Sequence, residues 1–179
     1  MAKIIVDRLR GRFAEQITAS HDRLGNETVV LAPAVLVDAA KLLRGDPLLA
    51  MDMPIDCTAV DWWQRRTPRF EVIWHLYSTR LGHRLRLKVL LDDPDPSCAS
   101  LTPIWPGMNW HEREAFDLYG IRFVGHPNLR RVLMYEEFVG HPLRKDYPID
   151  RRQPLIPMQP PARMVPTQRQ APPEMLNRP

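Results

Sequence analysis

The sequence predicts an α+β domain: a small mixed or antiparallel sheet with helices on one face, followed by an extended C-terminal arm. Three observations point there. Two runs alternate apolar and polar residues across a short turn, as an antiparallel hairpin does. Apolar residues recur at helical spacing before that hairpin, and a capping-box spacing opens a helix after it. Proline then gathers at the end of the chain, where nine of the 19 prolines fall within residues 148–179.

The elements follow in order. From Ile4 to Ile17, residues Ile5, Leu9, Phe13 and Ile17 share one helical face, with Arg8, Arg10, Arg12 and Glu15 elsewhere. Glu27 to Leu31 reads as a short strand. Pro33 suits the first turn of a helix carrying Leu36, Ala39, Ala40 and Leu43, closed by Gly45. Met51, Met53, Ile55, Cys57 and Ala59 alternate with Asp52, Asp56 and Thr58, and Pro54 makes this an edge strand or a bulge. Phe70, Val72, Trp74 and Leu76 alternate with Glu71, Ile73, His75 and Tyr77. Leu85, Leu87, Val89 and Leu91 alternate with Arg84, Arg86 and Lys88. The last two runs flank Arg80-Leu81-Gly82-His83 and form the hairpin, with one apolar and one basic face. Asp92 to Pro106 is a loop with four prolines. Asn109 with Glu112 three residues later reads as a capping box, opening a helix that runs to about Tyr119 with Gly120 as its C′ residue.

The boundary between the domain, residues 1–147, and the arm, residues 148–179, is expected near Tyr147-Pro148. The arm has no glycine, and its apolar residues stand singly or in pairs without a period. Proline disfavours helix at the residue before it, so the arm should be extended. It has two physical readings. One is a disordered appendage. The other is an arm that orders on a partner, using apolar pairs and arginines as anchors.

Composition removes several classes. Eight glycines cannot supply a collagen repeat. Two distant cysteines, Cys57 and Cys98, cannot build a four-cysteine iron–sulfur cluster, a zinc ribbon or a disulfide framework within this chain. No apolar run approaches the roughly 18 residues of a membrane span. The start, MAKIIVDRLRGRF, is too charged for a signal peptide, so a reduced, cytoplasmic setting is expected. The net charge of +4 is modest and is no argument for nucleic acid.

Polar residues are densest from Trp110 to Pro148. This stretch holds His111, His126 and His141, the acids Glu112, Glu114, Asp117, Glu136, Glu137 and Asp146, and the bases Arg113, Arg122, Arg130, Arg131, Arg144 and Lys145. A metal site is one reading, because His111 and Glu114 share a helical face and His126 and His141 are available to complete it. The plainer reading places each of those two histidines in a Gly-His-Pro turn, hydrogen-bonded to backbone, among bases that repel a cation. General acid–base work by Glu112, Glu114 or Asp117 is a second reading. Against it, Glu112 is accounted for by the capping box, and the other two have arginines to pair with. No Gly-x-Ser-x-Gly elbow, dinucleotide fingerprint or phosphate loop occurs. The basic strand Arg84 to Lys88 reads as a solvated or partner-facing surface. The residues therefore describe a small α+β domain without a catalytic constellation, whose arginine-rich C-terminal third is made to dock.

The same segment resembles the signature of the thirty-kilodalton subunit family of respiratory complex I, the proton-translocating NADH:quinone oxidoreductase. The matching residues are Glu112-Arg113-Glu114, Phe116 to Ile121, Gly125 to Arg130 and Gly140 to Pro148. Looser agreement reaches back to about residue 25 and includes Ala59-Val60-Asp61. The resemblance implies a peripheral-arm subunit on the cytoplasmic face of a bacterial inner membrane, with no transmembrane segment and no cofactor of its own. FMN, iron–sulfur clusters and quinone would be bound by partner subunits. The expected neighbours are the subunit that forms the quinone site and the nearby subunits that hold iron–sulfur clusters. Glu112, Arg113 and Glu114 would orient the short helix. Asp117 and Asp146 join them as motif positions. Arg130, Arg131, Arg144 and Lys145 would make charge-assisted bonds to the partner, and His126 and His141 would fix the two Gly-His-Pro turns. A homologous subunit of a membrane-bound nickel–iron hydrogenase-type complex is the alternative.

Overall fold

The computed structural model describes residues 3–154. The expected arm therefore lies outside the described residues from position 155 onward. The chain runs α1 (Lys3–Phe13), β1 (Ile17–His21), β2 (Glu27–Leu31), α2 (Leu36–Gly45), β3 (Met53–Asp61), β4 (Phe70–Tyr77), β5 (Arg84–Leu91), β6 (Ser97–Ala99), α3 (Met108–Tyr119) and β7 (Arg122–Val124). The main sheet has the order β1-β2-β5-β4-β3. All its neighbours are antiparallel except β2 and β5, which pair in parallel from Glu27 with Leu85 to Leu31 with Val89. Helix α2 carries the chain from β2 to the far edge, and the β3-β4-β5 meander brings it back. The expected α+β architecture is what forms.

Period-two patterning sets which face each strand buries. Phe70, Val72, Trp74 and Leu76 of β4 and Leu85, Leu87 and Val89 of β5 are all buried, beside Ile5, Leu9, Leu36 and Leu43 from the helices. Each such side chain contributes about 1.5–3 kcal/mol by leaving water. Arg84, Arg86 and Lys88 point to the opposite face. There Lys88 and Arg66 both bond Glu71, whose carboxylate is almost wholly buried.

Three local expectations are corrected. The first helix stops at Phe13, because Ile17 fits a helical period but instead opens β1 and pairs with Leu31. The proline-rich loop contains β6, which pairs in parallel with β7. Three-residue strands are too short for a period to show. Helix α3 begins at Met108, so Asn109 lies inside it and there is no capping box. Glu112 faces the core instead. Pro54 behaves as expected, with the register of β3 on β4 slipping between Pro54 and Asp56 on an edge strand.

Candidate functional site

Helix α3 is the base on which the polar segment is built, and it packs along β3. One of its faces turns Glu112, Arg113 and Asp117 inward, all buried. Glu112 is fully enclosed. Its Oε1 accepts the Leu101 N–H at 2.7 Å, and its Oε2 accepts the hydroxyls of Ser100 at 2.5 Å and Thr102 at 3.1 Å. Burial pushes its carboxyl above the usual range, against the pull of those three donors. The Trp74 indole N–H is buried without an ordinary hydrogen-bond acceptor, yet lies close enough to favour the charged form.

Asp117 organises the segment that follows. Its Oδ2 accepts three successive backbone N–H groups, from Val132, Leu133 and Met134, at 2.8–2.9 Å. Its Oδ1 meets Arg131 Nη1 at 2.6 Å. Burial opposes the charge, but these donors outweigh it and hold the carboxyl below the usual range. Arg131 also donates to the carbonyls of Phe138 and Gly140, and Arg113 donates to those of Arg130 and Arg131. A stretch without regular secondary structure thus has its backbone groups satisfied by side chains.

The histidines serve the same end. His126 accepts the Asn128 N–H on Nδ1, so its Nε2 is the donor to the Asn109 carbonyl. His141 Nδ1 bonds the Asp117 carbonyl at 2.8 Å. Burial holds both imidazoles below their usual pKa, aided by neighbouring arginines. Gly120, in the left-handed region at φ 75°, allows His141 and Arg144 to close over the helix end. A Cβ there would lie 2.6 Å from the His141 ring and 2.9 Å from Arg144 Nη2. Arg144 Nε donates to the Tyr119 carbonyl at 2.6 Å.

A second centre holds the far end. Arg69 donates Nε and Nη2 to the two oxygens of Asp61, Nη1 to Asp93, and both terminal nitrogens to Asp146. Asp61 also accepts the backbone N–H of Lys145 at 2.8 Å. Its side chain is fully buried, and its carboxyl is held low against the burial by Arg69 and these N–H donors. Beyond Tyr147, Gln153 exchanges hydrogen bonds with the backbone of Val139, and the Tyr135 hydroxyl donates to the Pro154 carbonyl. These contacts cross the expected boundary near Tyr147-Pro148.

Most of the expected motif residues are thus brought together, facing inward. Arg131 and Arg144, expected to bond a partner, and the motif residue Asp146 have partners within the chain. Glu114, Arg130 and the Lys145 side chain stay exposed. His111 sits 3.4 Å from Asp56, apart from the other histidines' partners. Among the described residues no group of three or more histidines, cysteines and acids is disposed to hold a metal ion. Cys57 and Cys98 are buried, and burial pushes both thiols well up, away from the thiolate that ligates metals. Sequence reasoning passed over Arg69 and Asp93. The pairing of Asp61 with Phe70, which puts residue 69 beside Asp61 at one end of the β3–β4 pair, is a register that only the folded sheet fixes.

Fold and site together define a class: a small α+β domain whose buried ion pairs weld an irregular surface segment to a helix and a sheet. Residues 29–153 match the family described as respiratory-chain NADH dehydrogenase, 30 Kd subunit. The chain belongs to this family, whose members are components of respiratory complex I. It is 46% identical over 145 residues to the corresponding NADH-quinone oxidoreductase subunit of Roseiflexus sp. (strain RS-1), covering 81% of this chain and 83% of that one. It is 42% identical to the corresponding NADH-quinone oxidoreductase subunit of Geobacter sulfurreducens, covering 80% and 88%. Among solved structures, the trypsin-resistant fragment (1-134) of Nqo5 is similar with a TM-score of 0.59 and 27% identity, over 70% of this chain and 99% of the fragment. A chain of the membrane-bound sulfane sulfur reductase, an archaeal respiratory membrane complex, shares the fold at a TM-score of 0.66 and 19% identity, over 82% and 85%. No helix among the described residues is long and apolar enough to cross a membrane.

Proposed function

We propose that this chain is a structural, non-catalytic subunit of the peripheral arm of a proton-translocating NADH:quinone oxidoreductase. It holds its neighbours while electrons pass from NADH to quinone through FMN and iron–sulfur clusters bound by other subunits. Its chief neighbour is the subunit that forms the quinone site, with subunits that hold iron–sulfur clusters nearby, on the cytoplasmic face of the inner membrane.

One observation carries this reading. Glu112, Arg113, Asp117, Arg131, Arg144 and Asp146 of the motif are engaged inside the chain, while the segment they hold presents apolar side chains outward. Leu133, Val139 and Leu143 are 45–56% exposed, and Ile149 fully so. Exposed apolar side chains on a well-braced support are what a docking surface requires. The relatives' shared name favours an NADH-linked complex over a hydrogenase-type one.

The test is affinity purification of the tagged chain from its own membranes. Co-purification of flavin- and cluster-bearing subunits with NADH:quinone activity is expected, while the isolated chain shows neither activity nor visible absorbance. A stoichiometric flavin, cluster or metal in the isolated chain would overturn the reading.

A further inference from the structure

The loop joining β3 to β4 builds a cleft beside the Arg69–Asp61 centre. It has a volume of about 450 Å³ and is lined by Val60, Asp61, Trp62, Trp63, Arg65 and Lys145. Its frame is rigid. The Trp62 indole donates to Glu71 at 3.1 Å, and Arg66 both bonds Glu71 and lies 4.7 Å over the Trp62 ring. The Trp63 N–H donates to Asp61 at 2.9 Å, and the Trp62 N–H to the Arg69 carbonyl.

Within this frame three side chains face outward without a task. Trp63 is 39% exposed, and Arg65 and Lys145 are exposed. Among the described residues neither cation meets a carboxylate. Asp61, the acid lining the cleft, has both its oxygens taken by Arg69 and by backbone N–H groups. The available charge in the cleft is therefore positive, beside an aromatic wall. Trp and Arg around a preformed pocket are also the residue types that dominate interface energetics.

We propose that this cleft docks a carboxylate-bearing segment of a partner subunit, an acidic residue set between Arg65 and Lys145 beside an apolar side chain packed on Trp63. The proposal rests on the reading of the chain as a subunit of a complex. Charge argues against the chain's own C-terminal residues as occupant, because positions 155–179 carry Arg163, Arg169 and Arg178 against a single acid, Glu174. It argues equally against nucleic acid. Asp93 and Asp146, bound to the same Arg69 as Asp61, place two further carboxylates nearby. These repel a polyphosphate chain but tolerate one carboxylate held by two cations.

The experiment uses the assembled, purified complex. A zero-length carbodiimide joins an amine to a carboxylate only when the two are in contact, and mass spectrometry then identifies the joined peptides. The expected product links Lys145 to an Asp or Glu of another subunit. Trp63 is expected to be protected from hydroxyl-radical oxidation in the complex and open in the isolated chain. Trp63→Ala should weaken retention of the subunit about thirtyfold, as loss of an interface anchor does. Arg65→Glu with Lys145→Glu should release it at lower salt, and circular dichroism of the isolated variants should match the parent. If the chain co-purifies but Lys145 links only within its own chain or to a second copy, or Trp63 stays open, the cleft proposal fails and the subunit reading stands. Protection removed by nuclease would assign the cleft to nucleic acid and overturn the proposal. Failure to co-purify at all would sink the subunit reading itself.

Discussion

Asp117 and Arg131 meet at 2.6 Å, and both are more committed than an ion pair alone requires. The fully buried carboxylate also caps three backbone N–H groups, and the guanidinium reaches two further carbonyls. Removing one partner strands the other in a poorly solvated place. Asp117→Asn should cost about 3 kcal/mol, in the range for a broken buried pair. Urea denaturation measures the loss, and limited proteolysis should cut residues 125–154 first. A variant as stable as its parent would mean that the segment holds without this centre.

Two kinds of buried carboxyl give the stability opposite pH dependences. Asp61, Asp117 and Glu71 have folded pKa values below their ordinary ones of 3.8, 3.8 and 4.5. Their contribution is present above those ordinary values and is lost as pH falls through the lower folded ones. Glu112 has a folded value above 4.5, so its protonated form is favoured by folding. Its contribution is present below 4.5 and is lost as pH rises through the folded value. Glu112→Gln keeps the neutral shape and should remove that decline. Thermal melts from pH 4 to pH 8 check this, and a variant whose curve parallels the parent's would refute it.

Gly120→Ala places a methyl group where His141 and Arg144 already sit, at a backbone angle that L residues avoid. The expected cost is about 2 kcal/mol. It should appear as a lower melting temperature and a displaced His141 imidazole resonance in NMR. An unchanged resonance would show that the turn adjusts elsewhere.

Truncation should separate folding from assembly. Ending the chain after Pro154 keeps the contacts of Gln153 and Pro154 with Val139 and Tyr135. That variant should melt like the full chain but enter the complex poorly. Ending it after Tyr147 removes these contacts and should lower the melting temperature as well. Equal assembly by the full chain and the longer truncation would refute a docking role for residues 155–179.

Arg144 and Lys145 should part company for the same reason. Arg144→Ala loses the bond to Tyr119 and should cost about 1 kcal/mol of stability. Lys145→Ala leaves its backbone bond to Asp61 intact and should affect assembly alone. Equal melting temperatures for the two variants would count against this division.

The sequence by itself determined the elements whose signals are local. Alternation wrote β4 and β5, the helical period wrote α2, and Gly120 marked the end of α3 at its left-handed residue. The motif from Trp110 to Pro148 carried the family. Tertiary structure decided what no period records. Ile17 satisfied a helix and became a strand, because Leu31 offered it a pairing partner. Glu112 had the spacing of a capping residue and turned inward, because Ser100, Leu101 and Thr102 supplied donors there. The basic residues read as docking groups were divided the same way: Arg131 and Arg144 face carbonyls and carboxylates of their own chain, while Arg130 and Lys145 face out. The Asp61 bond to the Lys145 N–H joins residues 84 positions apart. Local propensity is set by a residue's nearest neighbours in sequence, whereas a charge finds its partner through space, and only the folded chain fixes which charges are left for others.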